Sequence, residues 1–245
     1  MEINNKVVII TGGANGIGKA CALDFIKEGA TVVIADIDEE NGKITEQKLG
    51  KNCLFKKVDI TDENDVIKLK DFIMNEYGRI DILINNAAKQ TEEDFFEMKP
   101  SVFKCVVDTN LNGTFICSSI LGKEMQSGGK IINMLSVHYN KPRKNKYDYD
   151  ASKAGVAMLT KEMALAFDEK GITVNAISYG ACYTPMNKDW LDDEKLVKRT
   201  LDRIPLRWIA KPEEISSFVI NILKNFSEYT TGSIFNIDGG RELTS

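Results

Sequence analysis

Short apolar runs alternate with longer amphipathic stretches along the whole chain. Runs with little polar alternation are typical of strands that are buried on both faces, and the stretches between them have the period of helices. Strands separated by helices predict a parallel sheet that is covered on both sides. The predicted strands are residues 7–11, 31–36, 53–58, 81–85, 130–135, 172–177 and 233–237.

The intervening stretches also carry signals for where helices begin and end. Gly29 follows the first predicted helix, and Thr61-Asp62 precedes the third as an N-terminal cap. The least regular stretch, residues 179–209, lies between the last two strands, and we expect it over the carboxyl ends of the sheet. The predicted helices are 16–28, 39–49, a third that runs towards Tyr77, 102–125, 149–168 and 212–223.

Length and composition favour one domain. The chain has 245 residues, of which 43% are hydrophobic, and this is enough for one sizeable core. No linker, internal repeat or low-complexity tract divides it. We therefore predict a single α/β domain over residues 1–245, with a doubly wound sheet of seven strands.

Charge and cysteine content exclude several classes of protein. A net charge of −4 gives no reason to expect a nucleic acid as partner. The five cysteines include no CxxC pair and no histidine at metal-ligand spacing, so we expect reduced thiols, no metal site and a cytoplasmic location. The first apolar run is too short for a signal peptide or a membrane span, so no membrane association is expected.

Three glycines lie between the first predicted strand and the first predicted helix. Gly12 permits a tight turn, Gly16 allows backbone to approach a phosphate, and Gly18 allows close packing. The helix N-terminus adds unpaired N–H groups and the positive end of a dipole. This strand-turn-helix arrangement predicts a dinucleotide-binding site.

Asp36 ends the second predicted strand, 18 residues after the last of these glycines. A carboxylate there can accept hydrogen bonds from the ribose 2′-OH of NAD and would repel the 2′-phosphate of NADP. The alternative role for Asp36 is to cap the next helix, which Asp38 could do instead. Asp59, after the third strand, either binds the adenine amine or caps its own turn. The sequence favours NAD as cofactor.

Tyr149 and Lys153 are four residues apart on a predicted helix, so their side chains share one face. The ordinary pKa of a phenol is about 10, and a nearby ammonium group favours the phenolate. Tyr149 can therefore exchange a proton with a substrate hydroxyl. Ser136, at the end of the fifth strand, can bind the substrate oxygen, and Asn110 can connect Lys153 to solvent through water.

These motifs together resemble the short-chain dehydrogenase/reductase family over essentially the whole chain. Ser136 and Tyr149 have the family spacing of 13 residues. The other matching motifs are TGGANGIG at 11–18, NNAA at 85–88, Asn110, YDASK at 149–153 and IDGG at 237–240.

The resemblance implies a Rossmann-type domain, often assembled as a homotetramer, with a catalytic tetrad of Asn110, Ser136, Tyr149 and Lys153. It also implies that Lys153 binds the nicotinamide ribose, that Asn86 and Ala87 lie against the cofactor, and that Thr184 meets its carboxamide. The predicted cofactor-binding residues are Gly12, Asn15, Gly16, Ile17, Gly18, Asp36, Asp59, Ile60, Asn86, Ala87, Tyr149, Lys153 and Thr184.

The chain departs from the family at Tyr179, which stands where proline usually precedes Gly180, and Ala88 replaces a more usual glycine. The departure at Tyr179 adds a large ring near the nicotinamide and leaves the size of the pocket open.

Two segments, SVH at 136–138 and GACYTPMN at 180–187, resemble the glucose dehydrogenases of this family. The substrate-binding candidates are Ser136, His138 and Tyr149, although His138 is equally compatible with a surface position. The loop 140–147 carries four cations, which indicate either a solvated or subunit-contact loop or a site for an anionic substrate.

The function expected from these observations is NAD-dependent hydride transfer to or from a small molecule, a secondary alcohol or carbonyl compound, with a sugar or polyol as substrate. One alternative is a 3-oxoacyl-thioester (acyl carrier protein) reductase, against which Asp36 argues because such reductases usually use NADPH. The other is a non-catalytic protein that senses NAD, which has no need for Tyr149 and Lys153.

Overall fold

Seven parallel strands form one sheet in the order β3-β2-β1-β4-β5-β6-β7. The computed structural model describes residues 1–244 and confirms the predicted fold class. All seven predicted strands are present, with ends that differ by no more than two residues. They are β1 (Val7–Thr11), β2 (Thr31–Asp36), β3 (Cys53–Lys57), β4 (Ile82–Asn85), β5 (Lys130–Met134), β6 (Thr173–Tyr179) and β7 (Ile234–Ile237).

Helices cover both faces of the sheet. Side chains that alternate along the strands pack on one face against the first and last helices, and on the other face against three central helices. The helices are α1 (Gly16–Lys27), α2 (Glu39–Leu49), α3 (Glu63–Tyr77), α4 (Pro100–Val107), α5 (Gly113–Glu124), α6 (Tyr147–Ala166), α7 (Lys188–Leu191), α8 (Glu194–Asp202) and α9 (Pro212–Asn225).

Two helix predictions need correction. The helix predicted over 102–125 is interrupted by a π-helical segment at Asp108–Asn112, between α4 and α5. Within that segment the Asn110 side chain is held by distant backbone rather than by its own helix. The stretch 179–209, predicted as irregular, contains the short helices α7 and α8. None of the residues of α8 is buried.

The strand order reverses at β1, which pairs with β2 on one side and β4 on the other. Ile9 is in register with Val33 of β2 and with Leu83 of β4. The loops that follow β1 and β4 therefore leave the sheet in different directions and open a crevice at its carboxyl edge, where ligands bind in doubly wound folds.

The longest helix of residues 1–244 is α6, and neither it nor any other helix described is apolar enough over a sufficient length to cross a bilayer.

Candidate active site

The glycine turn forms the floor of a cleft at this crevice. Gly16, the first residue of α1, has a φ of +53°, which a residue with a side chain rarely adopts. A Cβ on Gly18 would lie 2.2 Å from the carbonyl oxygen of Gly12 and 2.6 Å from Nδ2 of Asn86. Side chains at these two positions are therefore excluded, and backbone lines the cleft.

The N-terminus of α1 differs from those of its neighbours. Asp38 and Asp62 cap α2 and α3 with their side chains, and acidic residues follow in the first turn of both helices. The Asn15 side chain does not cap α1, and the first turn of α1 has no acidic residue. The N–H groups of this turn remain available to an anion, and this geometry fits the pyrophosphate of a dinucleotide.

Thr11 ties the glycine turn to the end of β4. Its hydroxyl accepts hydrogen bonds from the backbone N–H groups of Asn86, at 3.0 Å, and Ala87, at 3.1 Å. The Asn86 amide donates in return to the carbonyl oxygens of Thr11, at 3.1 Å, and Gly12, at 2.8 Å. Sequence reasoning placed Asn86 and Ala87 at the cofactor but did not identify Thr11, which sets the distance between the two loops.

Asp36 holds the turn from the other side. Its Oδ2 accepts from the backbone N–H of Ala14 at 2.9 Å, and its Oδ1 accepts from that of Asp38 at 3.0 Å. Asp38, not Asp36, caps α2 by accepting from the N–H of Asn41 at 3.1 Å. Each carboxylate oxygen has a second lone pair, so Asp36 retains the capacity to accept from a ribose hydroxyl.

Gly12, Gly16, Asp36, Asn86 and Ala87 line the smaller of two adjoining clefts. Asp59 also lines it, while its Oδ1 accepts from the backbone N–H and the hydroxyl of Thr61, so it caps its own turn as well. Of the predicted cofactor-binding residues, Tyr149 lines the larger cleft, and Gly18 and Lys153 line neither. Those that line the smaller cleft are Gly12, Asn15, Gly16, Ile17, Asp36, Asp59, Ile60, Asn86, Ala87 and Thr184.

The larger cleft, of about 560 Å³, contains the predicted reaction centre. Ser136, His138 and Tyr149 line it, and Tyr179 and Thr184 line both clefts, so the two meet at these residues. The Tyr149 side chain is buried, and burial raises its pKa to about 12 with a smaller contribution from the charge of Asp150. Hydrogen bonding by the side chains of Ser136 and Tyr179 lowers this pKa in opposition.

Lys153 lies behind Tyr149, with Nζ 5.6 Å from the centroid of the phenol ring. Nζ donates to the carbonyl oxygen of Met134 at 2.7 Å, and burial lowers the pKa of Lys153 to about 8. The sequence predicts that this ammonium group lowers the pKa of Tyr149. In this structure the effect of burial on the Tyr149 pKa is larger than any effect of Lys153.

Asn110 joins the π-helical segment to two other parts of the site. Its Oδ1 accepts from the backbone N–H of Lys89 at 2.8 Å, and its Nδ2 donates to the carbonyl oxygen of Lys89 and to Oγ of Ser152, both at 2.9 Å. Ser152 in turn donates to the carbonyl oxygen of Tyr149 at 2.7 Å. Asn110 thus contacts the helix of Tyr149 through Ser152 rather than through Lys153.

His138 is packed between the loop 140–147 and α6. Its Nδ1 lies 3.1 Å from the carbonyl oxygen of Lys141, which can only accept, so Nδ1 carries the proton and Nε2 is an acceptor. Burial lowers the pKa of His138 to about 4, so the ring is neutral near pH 7. The ring stacks edge-on against Tyr149 at a centroid distance of 6.2 Å. His138 therefore lies beside Tyr149 and lines the larger cleft.

Two acidic residues beside Tyr149 were missed by sequence reasoning. Asp148 is fully buried, accepts from the N–H of Tyr149 at 2.7 Å and also accepts from the hydroxyl of Thr91. Asp150 accepts from the N–H of Arg143 at 2.6 Å, and burial raises its pKa to about 6. Their positions directly before and after Tyr149 in the sequence could have identified them. Together they fix the start of α6.

Comparison with known proteins agrees with this geometry. Residues 12–242 match the family model described as enoyl-(acyl carrier protein) reductase. The 3-oxoacyl-[acyl-carrier-protein] reductase FabG of Thermotoga maritima is 37% identical, over 98% of this chain and 99% of its own. The glucose 1-dehydrogenase 2 of Bacillus subtilis is 32% identical, over 99% of this chain and 96% of its own.

Solved structures are equally similar. A short chain dehydrogenase from Bacillus anthracis superimposes with a TM-score of 0.92 at 32% identity, over 100% of this chain and 99% of its own. A 3-ketoacyl-(acyl-carrier-protein) reductase from Brucella melitensis, complexed with NADH, gives a TM-score of 0.89 at 27% identity, over 98% of this chain and 99% of its own. The chain therefore belongs to the short-chain dehydrogenase/reductase family, whose members are NAD(P)-dependent oxidoreductases that act on CH–OH or carbonyl groups.

Proposed function

We propose that the protein oxidises a secondary alcohol, or reduces the corresponding carbonyl, with Tyr149 as the group that transfers the proton. The observation that carries this proposal is the position of the buried Tyr149 phenol, which meets the Ser136 side chain in the larger cleft beside its junction with the smaller one. When bound, the cofactor supplies the hydride donor or acceptor at its nicotinamide.

The chain itself supplies the substrate contacts and the proton path. The Ser136 hydroxyl accepts from the N–H of His138 at 3.3 Å, which leaves its own proton for the substrate oxygen. Tyr149 gives a proton to that oxygen during reduction and takes it back during oxidation. Lys153 is held by Met134, and its ammonium favours the phenolate during oxidation. Asn110 positions α6 through Ser152.

NAD is the proposed cofactor. Asp36 presents a carboxylate to the smaller cleft, Asp38 lies beside it, and the side chain of Asn15 is within 3.4 Å of Asp38. A 2′-phosphate would meet two negative charges here, whereas a 2′-hydroxyl can donate to either. Lys57, a cation at the end of the adjacent strand, is paired with Glu39 at 3.1 Å and does not line the cleft.

The substrate class proposed first is a sugar or polyol, because Nε2 of His138 and the Ser136 hydroxyl offer two groups for neighbouring hydroxyls. A 3-oxoacyl thioester is the second candidate. The identity of 37% to a reductase of that class favours it, and the NADH in the Brucella melitensis structure removes cofactor preference as an argument against it.

The protein is proposed to act in the cytoplasm as a homotetramer. The five cysteines are free thiols, and a reducing compartment such as the cytoplasm keeps thiols in this form. The helices α5 and α6 expose Phe115, Met158 and Leu165, which are 55%, 57% and 70% exposed and would be covered by neighbouring subunits. Sedimentation velocity tests the assembly, and a monomer at micromolar concentration would contradict it.

A substrate panel tests the activity. NADH and NADPH fluorescence would be followed during incubation with sugars, polyols, hydroxysteroids and oxoacyl thioesters, with Tyr149→Phe as the inactive control. Turnover of a secondary alcohol or its carbonyl, lost in Tyr149→Phe, supports the proposal. Tight NADH binding without turnover of any compound would favour a sensor. Faster turnover of thioesters than of all other compounds would favour the second candidate.

A further inference from the structure

The larger cleft is lined by six cationic side chains and, within residues 1–244, by one carboxylate, that of Glu92. The cations come from three separate parts of the chain. The loop before α6 contributes three, α8 and the residue that follows it contribute two, and the C-terminal segment contributes one. They are Arg143, Lys144, Lys146, Arg199, Arg203 and Arg241.

The carboxylate does not neutralise them. Glu92 is shared by Arg143 and Lys146, each at 3.4 Å, and no ion pair within residues 1–244 involves Arg199 or Arg203. The neighbouring cation Arg207, by contrast, is paired with Asp202 at 3.0 Å and does not line the cleft. Arg199 and Arg203 thus line the cleft without an ion-pair partner in the described part of the chain, although the chain as a whole is acidic.

The positive charges also act on one another across the cleft. Burial lowers the pKa of Arg241, and the charges of Arg203 and Arg143 lower it further, while the charge of Asp238 raises it in opposition. Burial is likewise the main cause of the lowered pKa of His138, with added contributions from Arg143, Arg241 and Lys146. A bound anion would remove this repulsion and gain attraction from several sides.

The chemistry of the wall indicates which anion fits. Three of the cations that lack a carboxylate partner are arginines, whose planar forks bind phosphate and carboxylate oxygens in pairs. Arg241 is already oriented, because it donates to the carbonyl oxygen of Thr244 at 3.3 Å while Thr244 donates to that of Arg203 at 2.6 Å. A cleft of about 560 Å³ is within the usual range for a small molecule.

We propose that the substrate is a small molecule bearing a phosphate or carboxylate group, which Arg199, Arg203 and Arg241 bind while Ser136 and Tyr149 contact its reacting oxygen. This inference rests on the proposed function for the identity of the reacting centre. It differs from the loop hypothesis of the sequence, because the decisive cations are on α8 and at the C-terminal segment. Of the loop cations, Lys141 bonds to the carbonyl oxygen of Thr244 and does not line the cleft.

The test compares charged and neutral substrates of one skeleton. Wild-type protein, Arg199→Gln/Arg203→Gln and the control Lys195→Gln/Lys198→Gln would be assayed with phosphorylated and free sugars, and with oxo acids and their methyl esters. The control removes the same amount of charge from α8, which carries Arg199 and ends next to Arg203, at exposed positions that do not line the cleft. We expect the arginine variant to lose about tenfold or more in kcat/KM for the charged member only, less so at high salt.

An equal loss for charged and neutral members, or an equal loss in the lysine control, would overturn the inference. Carrier-protein thioesters test a second possible source of the anionic group, the carrier protein itself. If a carrier-protein thioester alone depends on the two arginines, while small phosphates and carboxylates do not, the cleft wall serves a protein partner and the inference is wrong.

A binding measurement tests the anion site independently of the proposed catalytic activity. Inorganic phosphate and malonate would be titrated calorimetrically into the three proteins without substrate. Binding to wild type and the lysine control that is weakened about tenfold or more in the arginine variant supports the anion site even if no tested compound is turned over. Equal binding to all three proteins, or to none, contradicts it. Failure of turnover with all compounds would instead count against the proposed function.

Discussion

The Lys153 ammonium group is buried, and burial disfavours its charged form. The variant Lys153→Met tests this directly. The residue is 3% exposed, and burial lowers its pKa from 10.5 to about 8. A lysine whose pKa is lowered by folding destabilises the native state below the folded pKa, and the penalty disappears as the pH rises towards the unfolded value. Since one pKa unit is about 1.4 kcal/mol, the penalty is about 3 kcal/mol at neutral pH and about 1 kcal/mol near pH 10.

The substitution also has a cost that does not depend on pH. Methionine keeps most of the volume, but the carbonyl oxygen of Met134 loses the donor that now lies 2.7 Å away, at a cost of about 1–3 kcal/mol. The informative quantity is therefore the change with pH in the difference between the two unfolding free energies. We expect the unfolding free energy of Lys153→Met, relative to that of the wild type, to rise by about 2 kcal/mol as the pH falls from about 10 to 7.

Urea unfolding followed by circular dichroism at several pH values measures this difference. Lys161→Met is the matched control, because Lys161 is an exposed lysine on the same helix. The difference in unfolding free energy between Lys161→Met and the wild type should not change with pH. If the Lys153→Met difference is also flat, or has the opposite slope, then Lys153 is not a destabilised cation, and its charge cannot be the reason for its place beside Tyr149. Lys153→Met should at the same time be the less active enzyme at every pH.

Three further outcomes are expected. Tyr149→Phe should lower kcat by about 10² to 10⁴-fold while NADH fluorescence titrations stay unchanged, and retention of more than about a tenth of the activity would contradict its role. Asp36→Asn should narrow the preference for NAD over NADP in kcat/KM, because it removes the charge but keeps an acceptor for the N–H of Ala14 or Asp38. An unchanged cofactor preference would contradict the role of Asp36 in selecting NAD over NADP. Tyr179→Phe should move the acid limb of the oxidation pH profile, where the rate rises as Tyr149 loses its proton, to higher pH, because the Tyr179 side chain lowers the Tyr149 pKa; an unmoved limb would mean that Tyr179 does not act on the phenol.

Local patterns predicted the sheet because each strand is read from its own residues. Every residue of β1 and of β4 is buried, so a continuous apolar run was sufficient to identify them. The interruption of the helix predicted over 102–125 has no such local cause. It accompanies the hydrogen bonds that the Asn110 side chain accepts from and donates to the backbone of Lys89, and the one that it donates to Ser152, which is 42 residues further along the chain. A helical period carries no information about such contacts.

The reaction centre was also accessible to sequence reasoning, because Tyr149 and Lys153 are close in the chain and Ser136 ends a recognisable strand. Its electrostatics were not. The sequence predicts a phenol made acidic by Lys153, whereas the fold buries both groups and raises the pKa of Tyr149 to about 12 while lowering that of Lys153 to about 8. Burial depends on the whole tertiary structure, and it opposes the charged form of both residues.

The charge of the larger cleft extends the same argument to substrate choice. The sequence shows a basic cluster only where cations are adjacent, and it therefore drew attention to the loop 140–147. Arg199, Arg203 and Arg241 belong to segments whose overall charge is mixed, and nothing in their local patterns separates them from paired surface residues. The fold places all three on the lining of the cleft without an ion pair among residues 1–244, while Arg207, nearby in the chain, pairs with Asp202. Arginines that line the same cleft as Tyr149 without an ion pair to the residues that the structure describes are groups from which a ligand of opposite charge would gain attraction, and this is the physical basis for expecting an anionic substrate.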